Sequence, residues 1–251
     1  MKEVELPKVF ETKYNPVLIA RAVLSIMSKL RQPYGSNKMA GMRSSAHYHG
    51  ARHYRYTMMN REMARIPRIH GNVGYMSMRA RNAPQAVKGR KAHPPKSEKI
   101  WTENINKKEK QLSVKSALAA TAKMGLVALR GHKIDSNPRI IVNDFEKLDK
   151  TKKAYDIMKK IGLDKELERC AKKKVRAGRG TMRGRKYKKK IGPLVIVSKS
   201  CPASKAVRNI AGVDIVTVSG INTMLLAPGC QAGRAVVMTE NAMNEIEKKF
   251  K

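Results

Sequence analysis

Residues 194–197 read LVIV, an unbroken run of aliphatic side chains. A strand with one solvated face alternates apolar and polar residues, so a continuous apolar run of this length is typical of a strand covered on both faces. Such strands belong to parallel sheets that carry helices on both sides. The run therefore predicts the centre of an α/β domain.

The sequence on either side of this run alternates between strand and helix patterns. RIIV (139–142), VDIVTV (213–218) and RAVVM (234–238) predict three more strands. Two helical stripes lie between them: Ala154, Ile157, Met158 and Ile161, ending at Gly162, and Ala203, Ala206, Val207 and Ile210, behind Pro202. Alternating strands and helices predict an α/β fold with a mostly parallel sheet flanked by helices, a three-layer, Rossmann-like body.

Helices are also predicted at the two ends of this pattern. Asn15 followed by Pro16 is a cap with a first-turn proline, which predicts a helix over 16–31. Good helix formers predict another over 107–124, and Thr239 is a candidate cap for the last helix. The apolar stripes of the first two helices are Ile19, Val23, Ile26 and Leu30, and Val114, Ala117, Leu118 and Ala122.

Two strongly basic segments interrupt the pattern. Residues 38–99 contain 14 Lys or Arg against 2 acids, with five of the six His and seven of the 15 Met. Residues 172–190 contain 11 basic residues and no acid, so the two segments carry +12 and +11 of the total +35. The charge is thus concentrated in insertions. The predicted domains are a globular body of 1–37 and 100–251, with a basic insertion at about 165–192, and an extended loop of 38–99.

The first insertion is too poor in apolar residues to form a core of its own. No Leu, Phe or Cys occurs from 31 to 111, and the branched aliphatics within 38–99 are Ile66, Ile69, Val73 and Val87. Burying so little apolar area does not offset the entropy lost on ordering. Arg pairs with phosphates and Tyr and His offer ring faces to bases, so we predict a segment that orders on RNA, with a solvated basic linker as the alternative.

Arginines recur every few residues along this insertion with rings or glycines between them, which suits a threaded strand better than a folded patch.

For the second insertion, 172–190, composition leaves an RNA-contact arm, a localisation signal and a disordered insertion open. Its GRGTMRG (178–184) lacks the spacing and the preceding apolar strand of a nucleotide-binding loop. The predicted rRNA-binding residues are Arg43, Arg52, His53, Arg55, Arg61, Arg65, Arg68, His70, Arg79, Arg81, Lys88, Arg90, Lys91, His93, Arg176, Arg179, Arg183 and Arg185.

The composition argues against several other classes of protein. A net charge of +35 and a pI near 10.4 predict a polyanionic partner, nucleic acid by default. No apolar run approaches the roughly 18 to 20 residues of a membrane span, and the start of the chain, MKEVELPKVF, has acids where a signal peptide is apolar. We therefore expect a cytosolic protein, with Cys170, Cys201 and Cys230 as reduced thiols.

The sequence predicts no cofactor, no metal and no catalytic constellation. His47, His49 and His53 are close enough in sequence to share a metal, but no carboxylate or thiolate accompanies them, and base or phosphate contacts explain them as well. Cys201 precedes a helix, but no partner base is evident. The prediction is a protein that is not an enzyme.

Four segments carry a family resemblance: the capped N-terminal helix, the insertion ending in PQAVKGRKAHPPK (84–96), the helix KKEKQLSVKSALAATA (107–122) and the run NIAGVDIVTVSGINTMLLAPG (209–229). In this order, over nearly the whole chain, they resemble the L-four family of large-subunit ribosomal proteins, in its archaeal and eukaryotic form. The resemblance implies an α/β body on the outside of the subunit and a long loop that penetrates the large-subunit rRNA. The segment 172–190 is similar to the additional basic insertion of these members.

The resemblance also implies that the loop tip lines the constriction of the nascent-peptide exit tunnel, beside a second tunnel-lining protein. Carried over to this sequence, the tip lies within 64–81, with Arg79 near the wall. The implied partners are large-subunit rRNA and neighbouring ribosomal proteins, and the implied roles are structural, including early assembly. The loop is richer in Met and Tyr and poorer in Gly than the family pattern. The implied tunnel-lining residues are Arg65, Ile66, Pro67, Arg68 and His70.

Two other functions stay open from the residues alone. A free nucleic-acid-binding regulator or chromatin-type protein has the same charge, although no helix-turn-helix or zinc-finger pattern is present. An α/β enzyme acting on RNA requires a cleft lined by groups such as Asp144, Asp214 or Cys201.

Overall fold

The computed structural model describes residues 5–70 and 74–250. The chain divides into two compact units, and each is described by itself. The first, which we call the body, comprises Met1–Leu30 and Thr102–Lys251. The second, which we call the basic segment, is Arg31–Trp101 and contains the whole predicted loop, 38–99.

The strands of the body form a parallel sheet and a small hairpin. They are β1 (Arg139–Ile141), β2 (Lys174–Val175), β3 (Tyr187–Lys188), β4 (Leu194–Val197), β5 (Asp214–Thr217) and β6 (Val236–Thr239). Among the described residues the main sheet has the order β1-β6-β4-β5, and each neighbouring pair is parallel. β2 and β3 pair with each other in antiparallel fashion. The prediction of an α/β fold with a mostly parallel sheet is confirmed.

Helices occupy most of the connections between these strands. The α-helices are α1 (Pro16–Leu30), α2 (Lys107–Ala122), α3 (Met124–Leu129), α4 (Thr151–Met158), α5 (Asp164–Ala171), α6 (Ala203–Arg208), α7 (Thr223–Leu226) and α8 (Glu240–Lys249). Short 3₁₀ turns lie at Lys8–Glu11, Gly74–Met76, Asn143–Lys147, Val218–Gly220 and Pro228–Cys230, and a π-helical turn lies at Lys159–Leu163. No helix in 5–70 or 74–250 has the length and apolar character needed to cross a membrane.

The side chains of β4 alternate between two hydrophobic clusters, one on each face of the sheet. Leu194 and Ile196 pack in a cluster with residues of α1, α2, α7 and α8. Val195 and Val197 pack in a second cluster with residues of α4, α5 and α6. All four side chains are at most 1% exposed. The run LVIV is therefore a strand covered on both faces, and the body has the three layers that the sequence predicts.

The helix caps are confirmed, and one stripe residue of α1 is exposed. The N–H of Leu18 donates to Asn15 Oδ1 (3.1 Å), and the N–H of Ala242 donates to Thr239 Oγ1 (3.3 Å). Leu30, assigned to the buried stripe of α1, is instead 70% exposed. It is the last residue of the helix, and the cluster that buries Ile19 does not extend to that final turn.

Two helical segments differ from the sequence prediction. The helix predicted over 107–124 ends at Ala122, because Lys123 has extended backbone angles and α3 begins after it. Gly162 adopts a left-handed conformation (φ 79°), as expected of a glycine that ends a helix. The chain then continues directly into α5, which the sequence analysis did not predict. The sequence of α5, DKELERCA, shows only Leu167 and Cys170 as apolar buried residues, so its apolar stripe is too short to detect.

Glu166 is a buried carboxylate that ties α5 to the chain around it. Its Oε1 accepts from His132 Nδ1 (2.6 Å) and Arg169 Nη2 (2.6 Å), and its Oε2 accepts from Arg169 Nε (2.8 Å) and the N–H of Lys133 (3.0 Å). Burial raises the pKa of this carboxyl, but the hydrogen bonds outweigh burial and hold the pKa at about 2. Arg169 also donates to the carbonyl of Ile191 (2.6 Å), so the network holds both ends of the basic insertion together.

Candidate nucleic-acid interface

The basic segment folds back on itself through backbone hydrogen bonds. His47 and Arg68 form an isolated antiparallel bridge, with N–H to O distances of 3.3 and 3.1 Å, and Arg68 forms another with Ala80. Ile69 exchanges two further backbone bonds with Met78 and Arg79, at 2.9 and 3.0 Å. The arginine spacing favoured a threaded strand, but here three passes of the chain lie side by side. The difference arises because backbone pairing, which leaves no side-chain signature, decides this local structure.

The described interior of the basic segment is small. Its buried apolar residues are Ala46, Met58, Ile69 and Ala83. Val87 is 77% exposed, and Val73 lies outside the described residues. Two passes of the chain approach closely at Gly41 and Gly89, where a Cβ on Gly41 would meet the Gly89 carbonyl oxygen at 2.3 Å. Close backbone contact and hydrogen bonds, rather than a hydrophobic core, therefore hold this segment.

The positive charge of the basic segment is almost uncompensated within it. Residues 31–101 contain 15 Lys or Arg and 2 acids. Among its described residues, the one ion pair is Lys38 with Glu98 (3.0 Å), and both side chains are well exposed. The other cationic side chains described there have no carboxylate within 4.0 Å. Such a density of like charge repels itself and attracts a polyanion.

Most of the predicted contact residues lie on the surface. The exposed ones are Arg43, Arg52, His53, Arg55, Arg61, Arg65, Arg79, Lys88, Arg90, Lys91, His93, Arg179, Arg183 and Arg185. The half-buried ones are Arg68, His70, Arg81 and Arg176. Exposed guanidinium groups present their fork of N–H donors to a ligand, which suits phosphate oxygens.

The three half-buried arginines hold the backbone of their own segments. Arg68 donates to the carbonyl of Met78 (2.9 Å) and to that of Ala64 (3.1 Å). Arg81 donates to the carbonyl of Val87, and Arg176 donates to that of Arg185 (2.9 Å). These guanidinium groups are occupied by internal acceptors, so they shape the surface on which the exposed arginines stand. The sequence gives no sign of this division, because both kinds of arginine occur at the same spacing.

The predicted tip, 64–81, contains three residues outside the described part of the chain, 71–73. Of the implied tunnel-lining residues, Arg65 is exposed. Ile66, Pro67, Arg68 and His70 are half-buried, and Ile69 between them is buried at 7% exposure.

The second basic insertion forms a hairpin, which we call the basic hairpin (172–190). Lys174 pairs with Lys188 and Val175 with Tyr187, and the Arg176 N–H donates to the Lys186 carbonyl (2.8 Å). Tyr187 is 46% exposed and Val175 58% exposed, so the hairpin buries neither. Composition left an RNA-contact arm, a localisation signal and a disordered insertion open for this segment. The paired hairpin with its cationic surface favours the contact arm.

Three histidines of the basic segment converge. The ring centroids of His47 lie 4.1 Å from His49 and 4.2 Å from His70, and those of His49 and His70 are 4.5 Å apart. Burial lowers the pKa of His49, and the neighbouring His47 and His70 lower it further. Sequence spacing grouped His53 with the first two, but the described side chains bring in His70 instead. No motif could have revealed this, because His70 is adjacent only through the bridge of Arg68 with His47.

Comparison of the sequence with known proteins places the chain in a family. The family model described as "Ribosomal protein L4/L1 family" matches residues 4–249. The chain belongs to this family. It is accordingly a ribosomal protein and not an enzyme, as the resemblance of its motifs implied.

Curated relatives of the L4/L1 family match over almost the whole chain. The protein named "Large ribosomal subunit protein uL4" of Nanoarchaeum equitans is 44% identical, covering 98% of this chain and 93% of the relative. The protein of that name from Methanocaldococcus jannaschii is 44% identical, covering 100% and 95%. That of Methanococcus vannielii is 43% identical, covering 98% and 94%. These relatives are archaeal, in agreement with the archaeal and eukaryotic form of the family.

The groups that an RNA-directed enzyme would need have separate partners. Asp144 is exposed and pairs with Lys147 (2.9 Å), and Asp214 pairs with the buried Arg234. Cys201 Sγ lies 3.7 Å from Ser204 Oγ. Each of these contacts is one that structural side chains commonly make, which accords with the ribosomal-protein assignment.

Proposed function

We propose that this chain is a component of the large ribosomal subunit in the cytoplasm, where it binds large-subunit rRNA through the basic segment and the basic hairpin. One observation carries the proposal. The segment exposes a dense set of arginines with almost no internal counter-charge and has only a small apolar interior. Such a surface is stabilised by a ligand that supplies negative charge along its length, which is what folded RNA offers.

The proposed binding combines a paired backbone with exposed cationic side chains. Backbone pairing at His47, Arg68 and Ala80 fixes the course of the chain. When the exposed guanidinium groups bind phosphates, they lose side-chain freedom only, because the backbone that carries them is already paired. Binding therefore costs less conformational entropy than it would for an unpaired backbone. Tyr75, which is 76% exposed, and Tyr48, which is 41% exposed, offer ring faces to unstacked bases.

We further propose that the tip of the basic segment, within 64–81, lines the constriction of the nascent-peptide exit tunnel, next to a second tunnel-lining ribosomal protein. The family membership supports this role, and so does the exposure of the Arg65 side chain. A segment encircled by RNA is difficult to insert after the RNA has folded around it. The chain is therefore expected to join the subunit early in assembly.

Association with the large subunit is the first expected result. In sucrose gradients of a cell lysate at low magnesium, the full chain is expected to sediment with the large subunit and to stay there through a wash at moderate salt. The reason is that many simultaneous phosphate contacts have to be broken together. Recovery of the chain wholly in the ribosome-free fraction would show instead a free nucleic-acid-binding regulator.

Removal of the tip is expected to separate tunnel function from RNA binding. In the variant lacking 62–82, the body and the basic hairpin should still bind large-subunit rRNA, while ribosome profiling shows altered pausing of nascent chains or the gradient shows subunit precursors. The matched control is deletion of 179–184, the turn of the basic hairpin, which should leave pausing unchanged. Normal pausing and a normal subunit profile in the 62–82 deletion would rule out the tunnel role.

A further inference from the structure

His47, His49 and His70 form a cluster whose geometry resembles a ligand set. One ring nitrogen from each lies within 4.8 Å of the corresponding nitrogens of the other two. The backbone holds this arrangement, since the bridge of His47 with Arg68 aligns the stretch that carries two of the histidines with the stretch that carries the third. The backbone therefore brings the two stretches that carry the three histidines side by side.

The ring nitrogens of His70 have no internal partner. Both Nδ1 and Nε2 are buried, and neither has a hydrogen-bond partner among the described residues. A buried polar atom without a partner costs roughly 1 to 3 kcal/mol. A neutral imidazole has one lone pair, so a bound ion would satisfy one of these two nitrogens.

His47 makes a hydrogen bond of the kind that metal-bound histidines make. Its Nδ1 lies 3.1 Å from the carbonyl oxygen of Ser45. A carbonyl only accepts, so Nδ1 carries the proton, and Nε2 keeps the free lone pair. Metal-bound histidines commonly donate their second ring N–H to a backbone carbonyl, which fixes both tautomer and ring orientation.

Two tyrosine rings limit the space around the cluster. Tyr54 lies over His49 with centroids 4.2 Å apart, and Tyr56 lies beside His70 at 4.9 Å. These contacts restrict rotation of the His49 and His70 imidazoles. Restricted rotation favours a ligand held by these nitrogens.

We propose that His47, His49 and His70 bind one divalent transition-metal ion, with Zn²⁺ as the ion that fits best. Three neutral imidazoles suit Zn²⁺ and its neighbours in the first transition row, whereas Mg²⁺ and Ca²⁺ require oxygen ligands. At a Zn–N distance of about 2.0 to 2.1 Å, tetrahedral ligand nitrogens lie about 3.3 Å apart, so the side chains close in by about 1.5 Å at most. Water fills the fourth position in the free protein.

The ion would cross-link two parts of the basic segment that are far apart in sequence. It would fasten residues 47–49 to residue 70 in a segment with little apolar interior, and so stabilise the local fold before RNA is present. This role is independent of the proposed rRNA binding, because it concerns the protein alone.

The test uses the full chain without a histidine tag, freed of nucleic acid and metal, and titrated with ZnCl₂ in a calorimeter. We expect one Zn²⁺ per chain and, on titration with Co²⁺, the visible absorption of a tetrahedral site. His70→Ala and His49→Ala are each expected to weaken Zn²⁺ binding at least about tenfold, by analogy with losses at supporting residues of metal sites. His53→Ala is the matched control, and it should bind as the unaltered chain does.

Three results would overturn the proposal of a Zn²⁺ site. The first is the absence of stoichiometric Zn²⁺ binding by the unaltered chain. The second is an equal loss in His53→Ala and His70→Ala. The third is loss in only one of His49→Ala and His70→Ala. Because no RNA is present, failure here leaves rRNA binding unaffected, and failure of rRNA binding leaves this result unaffected.

Discussion

Replacing Arg52, Arg55, Arg61 and Arg65 together with glutamine is expected to weaken binding to large-subunit rRNA by about two to three orders of magnitude at physiological salt. All four side chains are exposed, and none makes an ion pair within the described residues. If each contacts one phosphate, the slope of log K against log salt should become less steep by about 3, at roughly 0.7 to 0.9 per contact. Filter binding over a salt series measures both quantities.

The control variant carries the same loss of charge on the body. It replaces Lys107, Lys108, Lys152 and Lys153 with glutamine, all of which are exposed on α2 or α4. A general effect of net charge would weaken the two variants equally. Equal losses, or an unchanged salt slope in the arginine variant, would remove the basic segment from the proposed interface.

Glu166→Gln is expected to lower the free energy of unfolding by about 3 kcal/mol or more, because it removes the buried charge that pairs with Arg169. The carboxylate accepts four hydrogen bonds on two oxygens, whereas the amide has one acceptor oxygen and turns its NH₂ group towards donors. Urea unfolding followed by circular dichroism measures the difference. Glu168→Gln, the same change two positions away on an exposed site of α5, should stay within about 0.5 kcal/mol of the unaltered chain.

The effect of Glu166 should depend on pH in a defined window. Its pKa is about 2 in the folded protein against an ordinary value of 4.5, so the folded state favours the ionised form. The stabilisation is therefore complete above about pH 5 and is lost as the pH falls from 4.5 towards 2. The difference in free energy of unfolding between the unaltered chain and Glu166→Gln should become smaller as the pH falls across that range. A difference in free energy of unfolding that stays constant with pH would show that these hydrogen bonds do not hold the carboxylate.

The parts of the fold that the sequence predicted are those in which burial leaves a pattern. LVIV is covered on both faces, and Asn15 and Thr239 have side chains that bond to the first turn of a helix. The position of β6 between β1 and β4 has no such pattern, because the same apolar run fits any internal place in a parallel sheet. Helix α5 was missed because a buried carboxylate stands where a stripe would show an apolar residue.

The candidate interface was predictable in composition but not in arrangement. Charge and the scarcity of branched aliphatics pointed to the basic segment, and they predict a polyanionic partner for it. They did not distinguish Arg65, which is free on the surface, from Arg68, which bonds to two carbonyls of its own segment. Nor did they bring His70 to His47 and His49. Both features follow from backbone pairing across about twenty residues, and backbone groups are the same at every position.

The order of the strands has a consequence for how the chain matures. Residues of β6 pair with β1 on one side and β4 on the other, for example Val237 with Arg139 and with Val195. During synthesis from the N-terminus, β1, β4 and β5 leave the ribosome before β6 does. Until then, β1 and β4 each have an unpaired edge, and open edges invite aggregation. The sheet of the nascent body is therefore completed only after β6 has left the ribosome.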